Sequence, residues 1–286
     1  MNPSAEPFFL DAEPGQRFCL FHPPAGACRG ALLYVHPFGD EMNKARRMAA
    51  LTARALAARG YGVLQLDLYG CGDSSGDFAD ARWETWLADL EAASAWLHAR
   101  LEVPVGLWGL RLGGLLALEF AQRSARAVPD IVLWQPVQQG GAFLKQFLRL
   151  LSVNEMLAQP EADPNKAASN TGMLRTTLLG GQALEVAGYE LAPQLAAAID
   201  SLDAARLAPA ASRVHWFEMI SAPDRPLAPA LARLADKWRT QGCDLRLQQV
   251  TGPAFWATQE ISESDALTDA TCAALDAVPV HCREAA

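Results

Sequence analysis

A turn between two apolar segments combines the residue types and the spacing of a catalytic motif. Residues 105–118 form an apolar run, a glycine-rich turn and a second apolar run, which predicts a strand followed directly by a helix. The turn reads Gly109-Leu110-Arg111-Leu112-Gly113, the Gly-x-Ser-x-Gly spacing of a nucleophile elbow with arginine at the serine position. Because a guanidinium stays protonated at any usable pH, Arg111 is not a nucleophile.

The position of Arg111 suggests a different chemistry, the binding of an anion. The predicted turn lies at a helix N-terminus, where free backbone N–H groups and the helix dipole favour negative charge. The N–H groups of Leu112 and of Phe38 or Gly39 are expected to point into the same space. A guanidinium there adds a fork of donors that suits carboxylate, phosphate or sulfate. One hypothesis is therefore that Arg111 clamps an anionic ligand.

The alternative is that Arg111 is neutralised within the protein. Acidic residues occur in the loops that are expected to converge on it, namely Asp40, Glu41, Asp73 and Asp224. Glu41 is the favoured partner, and such a pair would block the anion-binding space. Arg46 and Arg47 are expected either to join this cluster or to lie on a solvated helix face.

The rest of the chain alternates apolar runs typical of buried strands with segments of helical periodicity. Strands are predicted at 31–36, 62–68, 105–110, 131–134, 214–220 and 245–250, after a hairpin at 8–22. Helices between them imply an α/β fold, a mostly parallel central sheet with helices on both faces. Ligands bind such sheets at the carboxyl ends of the strands, which here means loops such as 36–43, 69–77 and 109–113.

The alternation lapses between residues 140 and 209. Helical patterns at 143–151 and 191–202 flank a polar stretch. We therefore expect a single domain over residues 1–286, with a helical lid inserted at about 140–209.

The order of these motifs resembles the α/β-hydrolases of the serine-aminopeptidase and acyl-esterase type over nearly the whole chain. His-Pro-Phe-Gly at 36–39 stands where these proteins carry an oxyanion loop, and Asp-Leu-Tyr-Gly-Cys-Gly-Asp-Ser at 67–74 where they have D-x-R-G-x-G-x-S. More narrowly, residues 36–48 and 108–113 are similar to the second type of hydrolase-like protein associated with exosortase A exopolysaccharide loci. The resemblance implies an α/β-hydrolase fold, ester or acyl hydrolysis and a role in exopolysaccharide production.

The family's catalytic residues are not carried over as a set. Its serine aligns with Arg111, and its histidine context after the last strand reads Thr-Gly-Pro-Ala-Phe-Trp at 251–256, without histidine. Of the triad, the resemblance leaves only the acid, at Asp224. Because nucleophile and base are missing together, the usual acyl transfer is excluded.

Two residues could replace the missing pair. Cys71 lies in a loop at the active edge, and a thiolate beside Arg111 would have a lowered pKa. The alternative is that Cys71 only fills a tolerant position. His36 could serve as a base, although a histidine at this strand end is usually architectural.

Composition and residue spacing exclude several classes of partner and cofactor. A net charge of −8 argues against nucleic acid, and the cysteines show no C-x-x-C spacing for zinc. The glycines at 70, 72 and 76 do not have the spacing of a dinucleotide-binding motif. Neither a cofactor nor a metal is therefore predicted. The sequence has no secretory signal and no run of about 18 apolar residues, and a cytoplasmic protein without a membrane span is expected.

Two functions remain open. In the first, the protein is a divergent hydrolase or transferase of an ester or an acylated saccharide, with Cys71 or an activated water in place of serine and Asp224 or His36 assisting. In the second, it is a catalytically silent homologue that binds an anionic small molecule or a protein partner through the Arg111 pocket. Whether the chain is an enzyme is left undecided by its residues.

Overall fold

The computed structural model describes residues 4–158 and 164–277, with side chains described outside 152–169. The strands are β1 (Glu6–Asp11), β2 (Gln16–His22), β3 (Gly30–Val35), β4 (Tyr61–Leu66), β5 (Val105–Leu110), β6 (Asp130–Trp134), β7 (Leu184–Val186), β8 (Tyr189–Leu191), β9 (Arg213–Ile220) and β10 (Asp244–Thr251). The helices are α1 (Asp40–Ala58), α2 (Trp83–Leu101), α3 (Leu112–Arg123), α4 (Gly140–Ala158), α5 (Pro164–Leu179), α6 (Pro193–Ser201), α7 (Pro229–Thr240) and α8 (Asp265–Asp276).

The central sheet has the order β1-β2-β4-β3-β5-β6-β9-β10. The strands from β4 to β10 in this order run parallel, whereas the N-terminal hairpin β1-β2 joins β4 antiparallel. Every residue of β5, in the middle of the sheet, is buried. This is the reason for its continuous apolar sequence, because a strand covered on both faces has no solvent side.

Helices cover both faces of the sheet. One apolar core lies under α1 and α8 and contains Trp108 and Trp134, whose rings meet edge to face with centroids 4.6 Å apart. The other lies under α2, α3 and α7 and contains Trp216 and Trp238. Parallel strands between these two layers direct their carboxyl ends toward the loops that follow β3, β4, β5, β6, β9 and β10.

Between β6 and β9 the chain forms α4, α5, the small antiparallel hairpin β7-β8, and α6. We call this segment the insertion. It packs over the carboxyl end of the sheet, where Phe147 of α4 lies against Phe38 with ring centroids 4.9 Å apart and Tyr189 of β8 against Phe78 at 5.1 Å. The hairpin and α5 fall in the stretch that the sequence marks only as polar.

Candidate functional site

The backbone of Arg111 has the strained conformation of a nucleophile elbow. Its φ is 55° and its ψ is −119°, a region that a residue with a side chain adopts only when its surroundings impose it. The Arg111 N–H donates to the carbonyl of Trp134 at 3.0 Å, and its own carbonyl accepts from Gly114 and Val137, each at 3.1 Å. Two of these bonds, to Trp134 and Val137, fasten the turn between β5 and α3 to β6 and the loop that follows it.

Gly113 allows this turn to sit close to the end of β3. A Cβ at Gly113 would lie 2.3 Å from the Val35 carbonyl oxygen and 2.5 Å from that of His36, both impossible contacts. The first turn of α3 is therefore docked on the loop that carries Phe38 and Gly39, which places these residues beside the start of α3.

The Arg111 side chain lies within the protein and is paired there. Its Nε donates to Glu41 Oε1 at 3.2 Å, and its Nη1 donates to the carbonyl of Gln135 at 3.3 Å. The guanidinium carbon lies 5.4 Å from the centroid of the Trp256 ring. The loop after β10 thus brings an aromatic ring to Arg111.

Glu41, the second residue of α1, is incompletely satisfied in this pair. Its Oε2 is buried and has no hydrogen-bond partner in the part of the chain that the structure describes. Burial raises the pKa of Glu41, and the opposing attraction of Arg111 does not cancel this effect. The ion pair is consequently one in which desolvation outweighs attraction.

A second carboxylate, that of Glu218, acts on Arg111, and the sequence analysis did not identify it. Gln135, in a left-handed conformation with φ 43°, donates from Nε2 to Glu218 Oε1 at 2.9 Å and accepts from the Met219 N–H at 2.6 Å. Burial raises the pKa of Glu218, and Arg111 opposes the shift. A glutamate within the apolar run of β9 was the available signal for this residue.

The other predicted acidic residues do not pair with Arg111, which corrects the expected convergence on it. Asp40 is exposed and pairs with Lys44 at 2.9 Å. Asp73 is exposed, and its N–H donates to Asp67 Oδ2 at 3.1 Å. Asp224 is exposed on the loop after β9. Of the four candidates, Glu41 is the one that pairs with Arg111 among the described residues.

The neighbouring arginines also belong to other contacts. Arg46 donates to Asp67 Oδ2 at 2.9 Å, and Arg47 pairs with Glu263. Neither joins Arg111.

Cys71 is not an activated thiol. It is 8% exposed, and burial, reinforced by the nearby carboxylates of Asp67 and Asp89, raises its pKa to about 12. The expectation of a thiolate stabilised by Arg111 is therefore wrong, because the strongest effects on this thiol are desolvation and negative charge.

His36 ties the ends of two strands together. Its Nε2 accepts from the Leu68 N–H at 3.1 Å, and its Nδ1 lies 2.7 Å from the Pro37 carbonyl, which fixes the proton on Nδ1. Burial lowers its pKa and favours the neutral ring. Both ring nitrogens are engaged, so His36 has no free nitrogen with which to take a proton from a substrate.

The space beside the expected oxyanion donors is small. Phe38, Cys71 and Leu112 border a cavity of about 10 Å³, which has room for about one water molecule. A larger cleft, of about 230 Å³, opens on the other side of Phe38 between α1 and α4. We call it the α1–α4 cleft; its lining includes the charged residues Asp40, Glu41 and Lys44 and the aromatic residues Phe38, Phe143, Phe147 and Trp256.

Neither a metal centre nor a membrane helix is found in the described ranges. No three His, Cys, Asp or Glu side chains there are grouped to hold an ion. None of the helices there is long and apolar enough to cross a bilayer.

The parallel sheet, the strained elbow between β5 and α3 and the insertion after β6 define an α/β-hydrolase fold. The esterase Est1E from Butyrivibrio proteoclasticus superposes with a TM-score of 0.63 at 15% identity, over 95% of this chain and 98% of that one. A thermostable carboxyl esterase from Bacillus coagulans gives 0.63 at 11%, over 96% and 97%. A variant of the monoglyceride lipase of Saccharomyces cerevisiae gives 0.61 at 14%, over 96% and 95%. The predicted fold class is confirmed.

The family itself is shown by sequence. The serine aminopeptidase, S33, family matches residues 26–175, which is just over half of the chain, and the protein belongs to that family. No curated protein matches the sequence.

Proposed function

We propose that this protein is a catalytically silent member of its hydrolase family that binds a small ligand in the α1–α4 cleft. The observation that carries the proposal is the Arg111–Glu41 ion pair at the position of the catalytic serine. The thiol of Cys71 and the ring of His36 offer no substitute for the triad, since the first is desolvated and the second is fully hydrogen-bonded.

The lining of the cleft indicates the chemistry of the ligand. Phe143, Phe147 and Trp256 provide an apolar wall, and the polar side consists of Glu41 and of Asp40 in its ion pair with Lys44. A ligand with an apolar body and a carboxylate can place the body on the rings and compete with Glu41 for Arg111. A carboxylate also accepts the paired donors of a guanidinium better than a neutral group does.

The suggestion that the ligand is a saccharide rests only on the residues that carry the family resemblance. Segments 36–48 and 108–113 are similar to proteins of exopolysaccharide loci, and a uronic acid or an acylated sugar acid combines a carboxylate with that context.

Family membership favours a second candidate, the hydrolysis of an ester or an acylated saccharide. Glu41 would then be the base that activates water, because its raised pKa and its unpaired Oε2 suit proton transfer. In this candidate Arg111 would stabilise the developing oxyanion.

Calorimetric titration with cinnamate, cinnamamide and glucuronate tests the binding function. Cinnamate is expected to bind, and Arg111→Gln is expected to weaken it at least tenfold, since charge-assisted bonds are lost. Cinnamamide, which lacks the charge, serves as the matched ligand, and Arg123→Gln, an exposed arginine of α3, as the matched variant. Equal binding of cinnamate to both variants would remove Arg111 from the site.

An assay with p-nitrophenyl acetate and butyrate separates the two candidates. If the protein is catalytically silent, ester turnover by the wild type, Glu41→Gln and Cys71→Ala will not exceed that of buffer. Turnover that Glu41→Gln abolishes would replace the silent function by the hydrolytic candidate.

A further inference from the structure

A second cavity lies on another face of α1, away from the α1–α4 cleft. It has a volume of about 210 Å³ and is bordered by α1 and the strands β2, β3 and β4. Met42, Arg46 and Ala50 line it from the helix, and their spacing of four residues places them on one face. Phe18 and Leu20 of β2 complete the apolar wall. We call it the α1–β4 cavity.

Tyr34 contributes a hydroxyl to the lining of this cavity. The residue is 4% exposed, and within the described ranges its phenol oxygen makes no hydrogen bond to another protein group. A hydroxyl that bonds to no protein group can bond to a molecule held in the cavity. Arg46 and Asp67, which form an ion pair at 2.9 Å, line the same cavity as Tyr34.

Two further polar groups of the cavity lining have unused capacity. Asp67 is 6% exposed, and its Oδ2 takes the bonds from Arg46 and from the Asp73 N–H, while no described donor reaches its Oδ1. Gln65 accepts from His22 through Oε1 at 2.9 Å, and its amide nitrogen donates to no described acceptor. The cavity therefore combines hydrogen-bond donors and acceptors with apolar walls.

The balance of charge selects the kind of head group. Arg46 and Asp67 neutralise each other at 2.9 Å, and Asp73 lies close enough to add its own charge to the surroundings of Arg46. An anion would face two carboxylates, and a cation would face the guanidinium. A hydroxyl can accept from one group and donate to another without bringing a charge into a buried place.

We propose that the α1–β4 cavity binds a small neutral molecule that carries a hydroxyl group on an apolar body. The hydroxyl bonds to Tyr34 Oη and Asp67 Oδ1, and the body lies against Phe18, Leu20 and Met42. The cavity is smaller than the sites of roughly 300–1,000 Å³ that hold drug-sized ligands. A molecule with one ring or a short chain fits this size.

Titration of the ¹⁵N-labelled protein by NMR tests the proposal with four probes. Benzyl alcohol, benzylamine, benzoate and toluene share the ring and differ in the head group. Benzyl alcohol is expected to give saturable shifts centred on the amides of Tyr34, Gln65 and Asp67, with a Kd on the order of millimolar for so small a ligand. Benzoate and benzylamine are expected to bind with a Kd at least tenfold higher, measured on the same amides.

Variants connect the shifts to the cavity. Ala50→Leu places three more carbons in the cavity and is expected to abolish them, whereas Ala58→Leu, exposed at the end of the same helix, is expected to leave them unchanged. Tyr34→Phe keeps the ring in the core and is expected to weaken benzyl alcohol about three- to tenfold, with toluene unaffected.

Several results would overturn the proposal. These are unchanged binding in Ala50→Leu, shifts that centre on Phe143 and Trp256 of the α1–α4 cleft, or no saturable shift with any probe. Equal binding of toluene and benzyl alcohol, with no effect of Tyr34→Phe, would show a purely apolar cavity and refute the hydroxyl class.

Discussion

Glu41 and Arg111 form an ion pair between the first turns of two helices, with Arg111 Nε 3.2 Å from Glu41 Oε1. Arg111 is the residue that precedes α3, where the positive end of the helix dipole disfavours a cation. Glu41 lies in the first turn of α1, where the dipole favours an anion. The carboxylate therefore compensates a cation that the elbow places in an unfavourable position.

Glu41 is predicted to make the stability of the protein fall as the pH rises. Because its pKa is higher in the folded than in the unfolded chain, the folded state binds more protons above the ordinary value of 4.5. The free energy of unfolding of the wild type, relative to Glu41→Gln, is thus expected to decrease as the pH rises from about 4.5 toward 7. Urea unfolding at a series of pH values measures it.

Asp40→Asn is the control for this prediction, because Asp40 precedes Glu41 but is exposed. Its stability relative to the wild type is expected to show no comparable trend. A Glu41→Gln difference that is independent of pH would mean that attraction cancels the cost of burial, and one that increases with pH would mean that attraction outweighs it.

A serine introduced at position 111 is predicted not to make this protein a serine hydrolase. In Arg111→Ser the new hydroxyl would have no histidine beside it, since Trp256 occupies the neighbouring place and His36 is bonded through both nitrogens. Loss of nucleophile or base in a serine protease costs a factor of about 10⁶ in kcat. Turnover of p-nitrophenyl acetate by Arg111→Ser is expected to equal that of Arg111→Ala, and a clear excess for the serine variant would reveal another base.

Cys71 is predicted to be inert toward alkylation in the folded protein. With a pKa of about 12, only about one thiol in 10⁴ is ionised at pH 8, and the side chain is buried as well. Iodoacetamide at pH 8, followed by peptide mass spectrometry, is expected to modify Cys28, which is partly exposed, well before Cys71. Faster modification of Cys71 would restore it as a nucleophile.

Much of the fold could be predicted because it rests on local pattern. Continuous apolar runs such as that of β5 have one stable environment, between two layers of helices. The start of α1 and the insertion were harder. α1 begins at Asp40, inside the segment 36–43 that the sequence predicts as a loop. The β7-β8 hairpin consists of two three-residue strands. Short strands that are stabilised by tertiary contact give little periodicity to detect.

In the candidate site, contacts made at the elbow itself were easier to predict than the paths of the more distant loops. The docking of α3 on the 36–39 loop follows from the glycines of the elbow. The paths of the loops around Asp73 and Asp224 and the burial of Cys71 depend on how distant segments pack, which no spacing encodes. Glu218 was missed because an acidic residue in a strand is usually taken to face solvent.

His36 is predicted to stabilise the fold rather than to act in chemistry. His36→Ala leaves the buried Leu68 N–H without an acceptor and removes a packed ring, and is expected to cost about 2–4 kcal/mol in the free energy of unfolding. Since burial lowers the pKa of His36, the folded state binds fewer protons than the unfolded state below 6.5. The wild type is therefore expected to lose stability as the pH falls through 6.5, and His36→Ala to lose less. Chemical denaturation between pH 5 and 8 measures both effects, with the exposed His98→Ala as control. Equal pH dependence in wild type and His36→Ala would show that burial does not lower the pKa of this ring and would contradict the prediction.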